Sequence, residues 1–193
     1  KSCDGYFYRL GLKMGLPGIM EMVEEFKLNQ QTGIDLPHEL ISWTPSPDFK
    51  ARFNPRAPQW TDIDTVYASF GQVYDFVTPV SLLRAVASVS VGGRLYTPHL
   101  MKQVRQVGEP GDDHYRPPRD YGDASAGVIP VAPEYRGAVV KAMWSVVNEA
   151  GTASGIRKAG YDIAGKTGTA QVVGLGKDVG RNKDHSWFVS YAP

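Results

Sequence analysis

An α/β fold, with helices packed on an antiparallel sheet, is the architecture this sequence predicts. Four stretches place apolar residues three and four positions apart behind residues that start helices. Near the C-terminus, residues 160–173 and 187–191 carry Thr, Val, Ile and aromatic residues. A Gly-, Lys- and Asp-rich segment between them suits a hairpin. No internal repeat or low-complexity tract interrupts this order.

Residues 4–15 read as the first helix. Asp4 is its expected N-cap, Phe7, Leu10 and Met14 share one face, and Gly15 is a stop. Pro17 opens a second helix, with Ile19, Met22, Val23 and Phe26 on one face. Residues 31–37 form a turn running into an extended piece. Residues 42–62 carry Pro45, Pro47, Pro55 and Pro58 among polar residues, and read as an irregular surface loop long enough to border a cleft. Thr78-Pro79 starts the third helix, with the threonine as cap and proline in the first turn. Val80, Leu83, Val86 and Ala87 form its stripe, and Gly92-Gly93 ends it. Residues 94–107 look extended, and residues 108–127 read as a mobile loop. Pro133 opens the fourth helix, which runs through Val139, Val140, Met143, Val146 and Val147 to Gly151-Thr152-Ala153. Two strands close the chain, at residues 160–173 and 185–191, with a hairpin loop over 174–184.

With 193 residues, 42% of them hydrophobic and 21% charged, the chain suffices for one globular domain. A formal net charge of +1 with scattered basic residues implies no polyanion partner and argues against nucleic-acid binding. The single cysteine, Cys3, has no intramolecular disulfide partner. No apolar run approaches the length of a membrane span, and no signal peptide is recognisable. His38, His99, His114 and His185 lack metal-ligand spacing, so neither a metal nor a cofactor is expected. The chain begins at Lys1 in a helix-like pattern and stops at Pro193 directly after a strand-like run. Both ends read as cuts within a larger protein.

The segment Asp162-Ile163-Ala164-Gly165-Lys166-Thr167-Gly168-Thr169-Ala170-Gln171-Val172-Val173 carries the chemistry. Residues 160–167 spell G-x-x-x-x-G-K-T, a formal phosphate-loop match. That motif needs a buried strand before it and a helix after it. Here Ser154-Gly155-Ile156-Arg157-Lys158 is too polar for such a strand, and Gly168-Thr169-Ala170-Gln171-Val172 favours extension. Lys166-Thr167-Gly168 also spells the K-T-G triad of serine acyl-transferases, which wants an edge strand and a hairpin. On such an edge, main-chain groups face outward and pair with an extended peptide. Lys166 supplies positive charge, Thr167 a hydroxyl for a carboxylate, and Gly168 room for close approach. The Thr169 N–H is placed to donate to a developing oxyanion; losing one such donor costs roughly 3 kcal/mol of transition-state stabilisation.

Residues 163–171 resemble the third active-site motif of the penicillin-binding proteins, and other segments match that family in order. Ser2-Cys3-Asp4 resembles its S-x-N motif, and Thr32-Gly33-Ile34-Asp35-Leu36-Pro37 a T-G-I-D-L-P segment. Trp60, Asp64-Thr65, Gly71-Gln72 and Thr78-Pro79 resemble a W…G-D-T…G-Q-G…T-P stretch. Asp184-His185-Ser186-Trp187-Phe188-Val189-Ser190-Tyr191-Ala192-Pro193 resembles the strand after K-T-G. The aspartate in Ser2-x-Asp4 and the D-H-x-W-F strand point to the class B, elongation-specific type. Asp4 replaces the commoner Asn, Ile63 stands where Gly is frequent, and Val73 follows Gly71-Gln72 where Gly is common.

The resemblance implies an incomplete transpeptidase fold of the penicillin-binding/β-lactamase-like kind, with residues 1–193 the C-terminal portion of one domain. It implies peptidoglycan D,D-transpeptidation through a serine acyl-enzyme, with β-lactams as inhibitors. Ser2 would relay a proton, Asp4 would hydrogen-bond the catalytic lysine or substrate amide, and Lys166 and Thr167 would recognise the substrate carboxylate. Gly168 and Thr169 would complete that wall. The family nucleophile lies in S-x-x-K, and no serine here has a lysine three residues on. Nucleophile and lysine are expected upstream of Lys1. The implied partners are D-Ala-D-Ala stem peptides, β-lactams, and a polytopic cell-wall glycosyltransferase and rod-complex proteins reached through absent regions. The implied location is the extracytoplasmic side of the bacterial envelope, anchored through an absent N-terminal segment. Two alternatives are a β-lactam sensor on the same fold and a septal-type transpeptidase.

Overall fold

The computed structural model describes residues 3–115, 119–120, 125–172, 180 and 183–192. The first element, α1 (Asp4–Glu25), is two helical segments joined at Gly15, whose φ of 69° and ψ of 172° break the helix before Pro17 restarts it. The expected stop and restart are thus both present. The expected cap is not: Cys3 occupies the N-cap position, no side chain caps the helix, and Asp4 lies in the first turn. There its charge still favours the positive end of the helix.

Residues 42–62 are not an irregular surface loop. They contain α2 (Pro47–Phe53), capped by the Ser46 hydroxyl accepting from the Phe49 N–H at 3.0 Å. They also lead into α3 (Asp62–Ser69), which opens on a capping box between Thr61 and Asp64. Pro47 sits in the first turn of α2, where its missing N–H costs nothing; a proline read as a breaker is here a starter. Helices α1 and α3 pack together, and at Gly11 an added Cβ would lie 2.3 Å from Ser69 Cβ. Only glycine permits that approach.

Between α2 and α3 lies a buried ion pair. Lys50 Nζ meets Asp64 Oδ2 at 2.5 Å, with the two side chains 6% and 5% exposed. Asp64 also accepts from the Thr61 N–H (2.7 Å), the Thr61 hydroxyl (2.6 Å) and the Tyr74 hydroxyl (2.6 Å). Burial alone would raise the Asp64 carboxyl. The bonds from Lys50, Thr61 and Tyr74 outweigh it and hold the carboxyl at about 2. Rings of Trp43, Phe49, Phe53 and Phe76 pack into one cluster with Tyr74, whose hydroxyl bonds the pair.

The third expected helix is α4 (Pro79–Ser90), where the Thr78 hydroxyl accepts from the Ser81 N–H at 3.3 Å. Its buried Arg84 donates to the carbonyls of Thr32 (3.3 Å) and Lys27 (2.8 Å). Glu39 accepts from the main-chain N–H groups of Thr32 (2.6 Å) and Gly33 (3.0 Å). The Thr32-Gly33-Ile34-Asp35 turn is therefore a clamp between the end of α1 and α4.

Three two-stranded antiparallel sheets follow among the described residues: β1 (Arg94–Tyr96) with β4 (Ser125–Val128), β2 (Gln103–Val104) with β3 (Arg119–Asp120), and β5 (Ala164–Ala170) with β6 (His185–Tyr191). Strands β3 and β4 fall in the segment expected to be loop; residues 116–118 and 121–124 of it lie outside the described residues. Most of the expected 174–184 hairpin loop also lies outside them. Helix α5 (Pro133–Asn148) packs on β5, and α4 contacts β1, β6 and α5. Val146, Val147, Ala153 and Ile163 form the small core beneath β5.

Candidate active site

Strand β5 is followed by β6 rather than by a helix, and a 3₁₀ turn (Ser154–Ile156), not a strand, precedes it. That excludes the phosphate-loop geometry. The register runs from Ala164 opposite Tyr191 to Ala170 opposite His185, so Lys166, Thr167, Gly168 and Thr169 are all ladder residues. At Gly165 an added Cβ would sit 2.7 Å from the Phe188 ring and 2.9 Å from the Val189 carbonyl oxygen, so the fold itself demands glycine. Gly168 differs. Its nearest neighbour would be Trp187 Cβ at 3.5 Å, an ordinary contact. Protein packing leaves room for a side chain at Gly168.

In an antiparallel strand the N–H and C=O of one residue point the same way, and alternate residues point opposite ways. The carbonyls of Ile163, Thr167 and Thr169 each accept from a side chain: Asn148 Nδ2 at 2.8 Å, Lys166 Nζ at 2.6 Å and Gln72 Nε2 at 2.8 Å. This parity places them on the edge of β5 that faces away from β6. The Thr169 N–H shares that edge. Lys166 and Thr169 are exposed and Thr167 is half-buried.

Two residues reach this edge that the sequence reading did not assign to it. The Thr152 hydroxyl lies 2.7 Å from the Thr167 hydroxyl. Its neighbours fix it: a Cβ on Gly151 would lie 2.3 Å from the Val146 carbonyl oxygen, and Ala153 is buried in the core beneath β5. Gln72, singled out in the sequence only as part of a family-like Gly71-Gln72 stretch, bonds the Thr169 carbonyl across 97 residues. Trp60 of the same stretch donates to the Thr65 hydroxyl at 2.9 Å and packs on the Tyr74 ring. Gln72 stands between Gly71 at φ 81° and Val73 at φ 68°. A β-branched residue held there costs on the order of 1–3 kcal/mol. The departure from glycine noted at position 73 is thus a strained one. Beside it, burial pushes the Asp75 carboxyl up to about 7.

The structure brings Lys166, Thr167, Gly168 and Thr169 together. It does not bring Asp4 to them: α1 packs on α3 and makes no contact with β5. Ser2 lies outside the described residues.

Residues 1–193 match the family model described as the penicillin binding protein transpeptidase domain. The chain belongs to the penicillin-binding protein transpeptidase family. It is similar to the peptidoglycan D,D-transpeptidase MrdA of Haemophilus influenzae, 33% identical over all of this chain and 30% of that protein. Among solved structures it resembles penicillin-binding protein 2 of Pseudomonas aeruginosa in complex with WCK 5153, with a TM-score of 0.74, 31% identity, 98% of this chain and 39% of that one covered. It also resembles the Helicobacter pylori penicillin-binding protein 2 in complex with MreC, with a TM-score of 0.72, 27% identity, and coverage of 97% and 31%. The chain spans about 30% of the length of the curated relatives it matches. The helices-on-antiparallel-sheet architecture read from the sequence is that of a transpeptidase domain in part.

Proposed function

We propose that these residues are the C-terminal portion of one transpeptidase domain and supply the carboxylate-binding wall of a serine acyl-transfer site acting on peptidoglycan stem peptides. The observation that carries this is the outward-facing edge of β5, where the Lys166 ammonium lies on the Thr167 carbonyl and the Thr169 N–H shares the same edge, beside an unobstructed Gly168. A serine upstream of this chain attacks the penultimate D-Ala carbonyl, and terminal D-Ala leaves with a proton. An amine of a neighbouring stem then takes the acyl group and returns the serine. Lys166 and Thr167 hold the terminal carboxylate, Gly168 lets the peptide approach, and the Thr169 N–H stabilises the oxyanion. Ser2 passes the proton to the leaving amine, and Asp4 bonds the upstream lysine or the substrate amide. These two act once the preceding part of the domain lies between α1 and β5.

The relatives named for MrdA support the elongation-specific type over a septal enzyme or a sensor. The Helicobacter pylori complex with MreC supports rod-complex partners bound through other regions. The bacterial cell-wall relatives support an extracytoplasmic site in the envelope. Labelling with a fluorescent penicillin tests the reading: the full-length protein forms a covalent adduct and the 193-residue chain alone forms none. An adduct on the isolated chain, or none on the full-length protein, contradicts it.

A further inference from the structure

We propose that Gln72 is a specificity-determining residue of the β5 edge: its side-chain amide donates to the Thr169 carbonyl, and the N–H of an incoming ligand competes with that donor. The inference rests on the function proposed above. Gln72 Nε2 lies 2.8 Å from the Thr169 oxygen, and that carbonyl shares its edge with the Thr169 N–H. A strand adding to a sheet edge uses both groups of such a residue, donating to the C=O and accepting from the N–H. Gln72 therefore sits on the half of the pairing site that reads an amide donor.

The loop that carries it is built to hold it there. Its backbone N–H donates to the Tyr67 carbonyl at the end of α3 (3.1 Å), and its carbonyl accepts from the Tyr74 N–H (2.7 Å). Tyr74 is buried and bonded to Asp64, which is anchored in turn by Lys50. Gly71 and Val73 take left-handed conformations on either side. A strained turn pinned at one end to a buried ion pair delivers one amide to one carbonyl.

The consequence is a levelling of selectivity. A ligand with an amide N–H exchanges one hydrogen bond for another and gains little. A ligand without one leaves Gln72 in place and loses little. Without the Gln72 amide, the exposed carbonyl is left to water, and an amide-bearing ligand gains a net hydrogen bond there that a ligand without an N–H does not.

The test uses the full-length protein. Acylation rate constants are measured for benzylpenicillin, which has a side-chain amide N–H, and for clavulanate, which lacks one. Gln72→Met keeps length and removes the donor; Gln72→Leu is a second donor-free variant. The rate ratio of benzylpenicillin to clavulanate is expected to rise about tenfold in both, the size of one net hydrogen bond. A ratio that stays constant or falls while the wild type is acylated overturns the role of Gln72 alone. Failure of the wild type to react with either compound overturns the functional reading and this inference with it.

Discussion

Val73 places a β-branched side chain at φ 68°, one residue after the amide that reaches across to β5. Glycine would adopt this conformation freely, but it would also loosen the unfolded chain, which offsets part of the gain. Val73→Gly in the full-length protein is expected to stabilise by about 0.5–1 kcal/mol. A thermal melt reads this as a rise in Tm, and a fall would show that the turn is not strained. Residues of the site differ in how far the sequence reveals them. Lys166, Thr167, Gly168 and Thr169 are contiguous, so their chemistry is readable from the string. Gln72 and Thr152 come to the same edge from 97 and 15 residues away. Thr152 has no local signature and Gln72 shows only as part of a family-like stretch, because the bonds that define their roles exist only after α3 and α5 have been positioned.

Helices α4 and α5 and strands β5 and β6 were legible because each carries its own start signal or its own β-prone composition. Helices α2 and α3 were not. Four prolines between residues 45 and 58 suggested broken chain, whereas Pro47 begins a helix and Thr61 with Asp64 caps the next. Strand β4, Ser-Ala-Gly-Val, has no strand signature of its own and is set by pairing with β1. The two missed helices hold the buried pair, which makes their joint stability depend on pH. Folding depresses the Asp64 carboxyl from 3.8 to about 2, so its contribution is fully present above pH 4. It is lost as pH falls from about 4 to about 2, by about 2 kcal/mol. Denaturant melts of wild type and Asp64→Asn across pH 2–6 check this. The variant should be about 3–5 kcal/mol less stable at pH 6, because Lys50 is left buried and unpaired. The gap should narrow toward pH 2, and a gap independent of pH would remove the ion pair from the account.

For the molecule as a whole, much apolar surface faces outward. Tyr6, Phe7, Leu12 and Met14 on α1 are exposed, as are Trp187 and Phe188 on β6. Strand β5 also presents an edge with no strand beyond it among the described residues. Exposed apolar faces and open edges associate in water. The 193-residue chain alone is therefore expected to bind a hydrophobic dye and aggregate on warming, whereas the full-length protein should not. A reversible, cooperative melt of the isolated chain without dye binding would contradict this. The central claim concerns what the open edge of β5 grips. Its most direct measurement is the second-order rate of penicillin acylation in the full-length protein and its Lys166→Ala variant, with Tm measured alongside. We expect a fall of about 100-fold or more at unchanged Tm, the scale of losing one fixed donor to a developing charge. An unchanged rate would contradict a carboxylate-binding, acyl-transfer role for this strand.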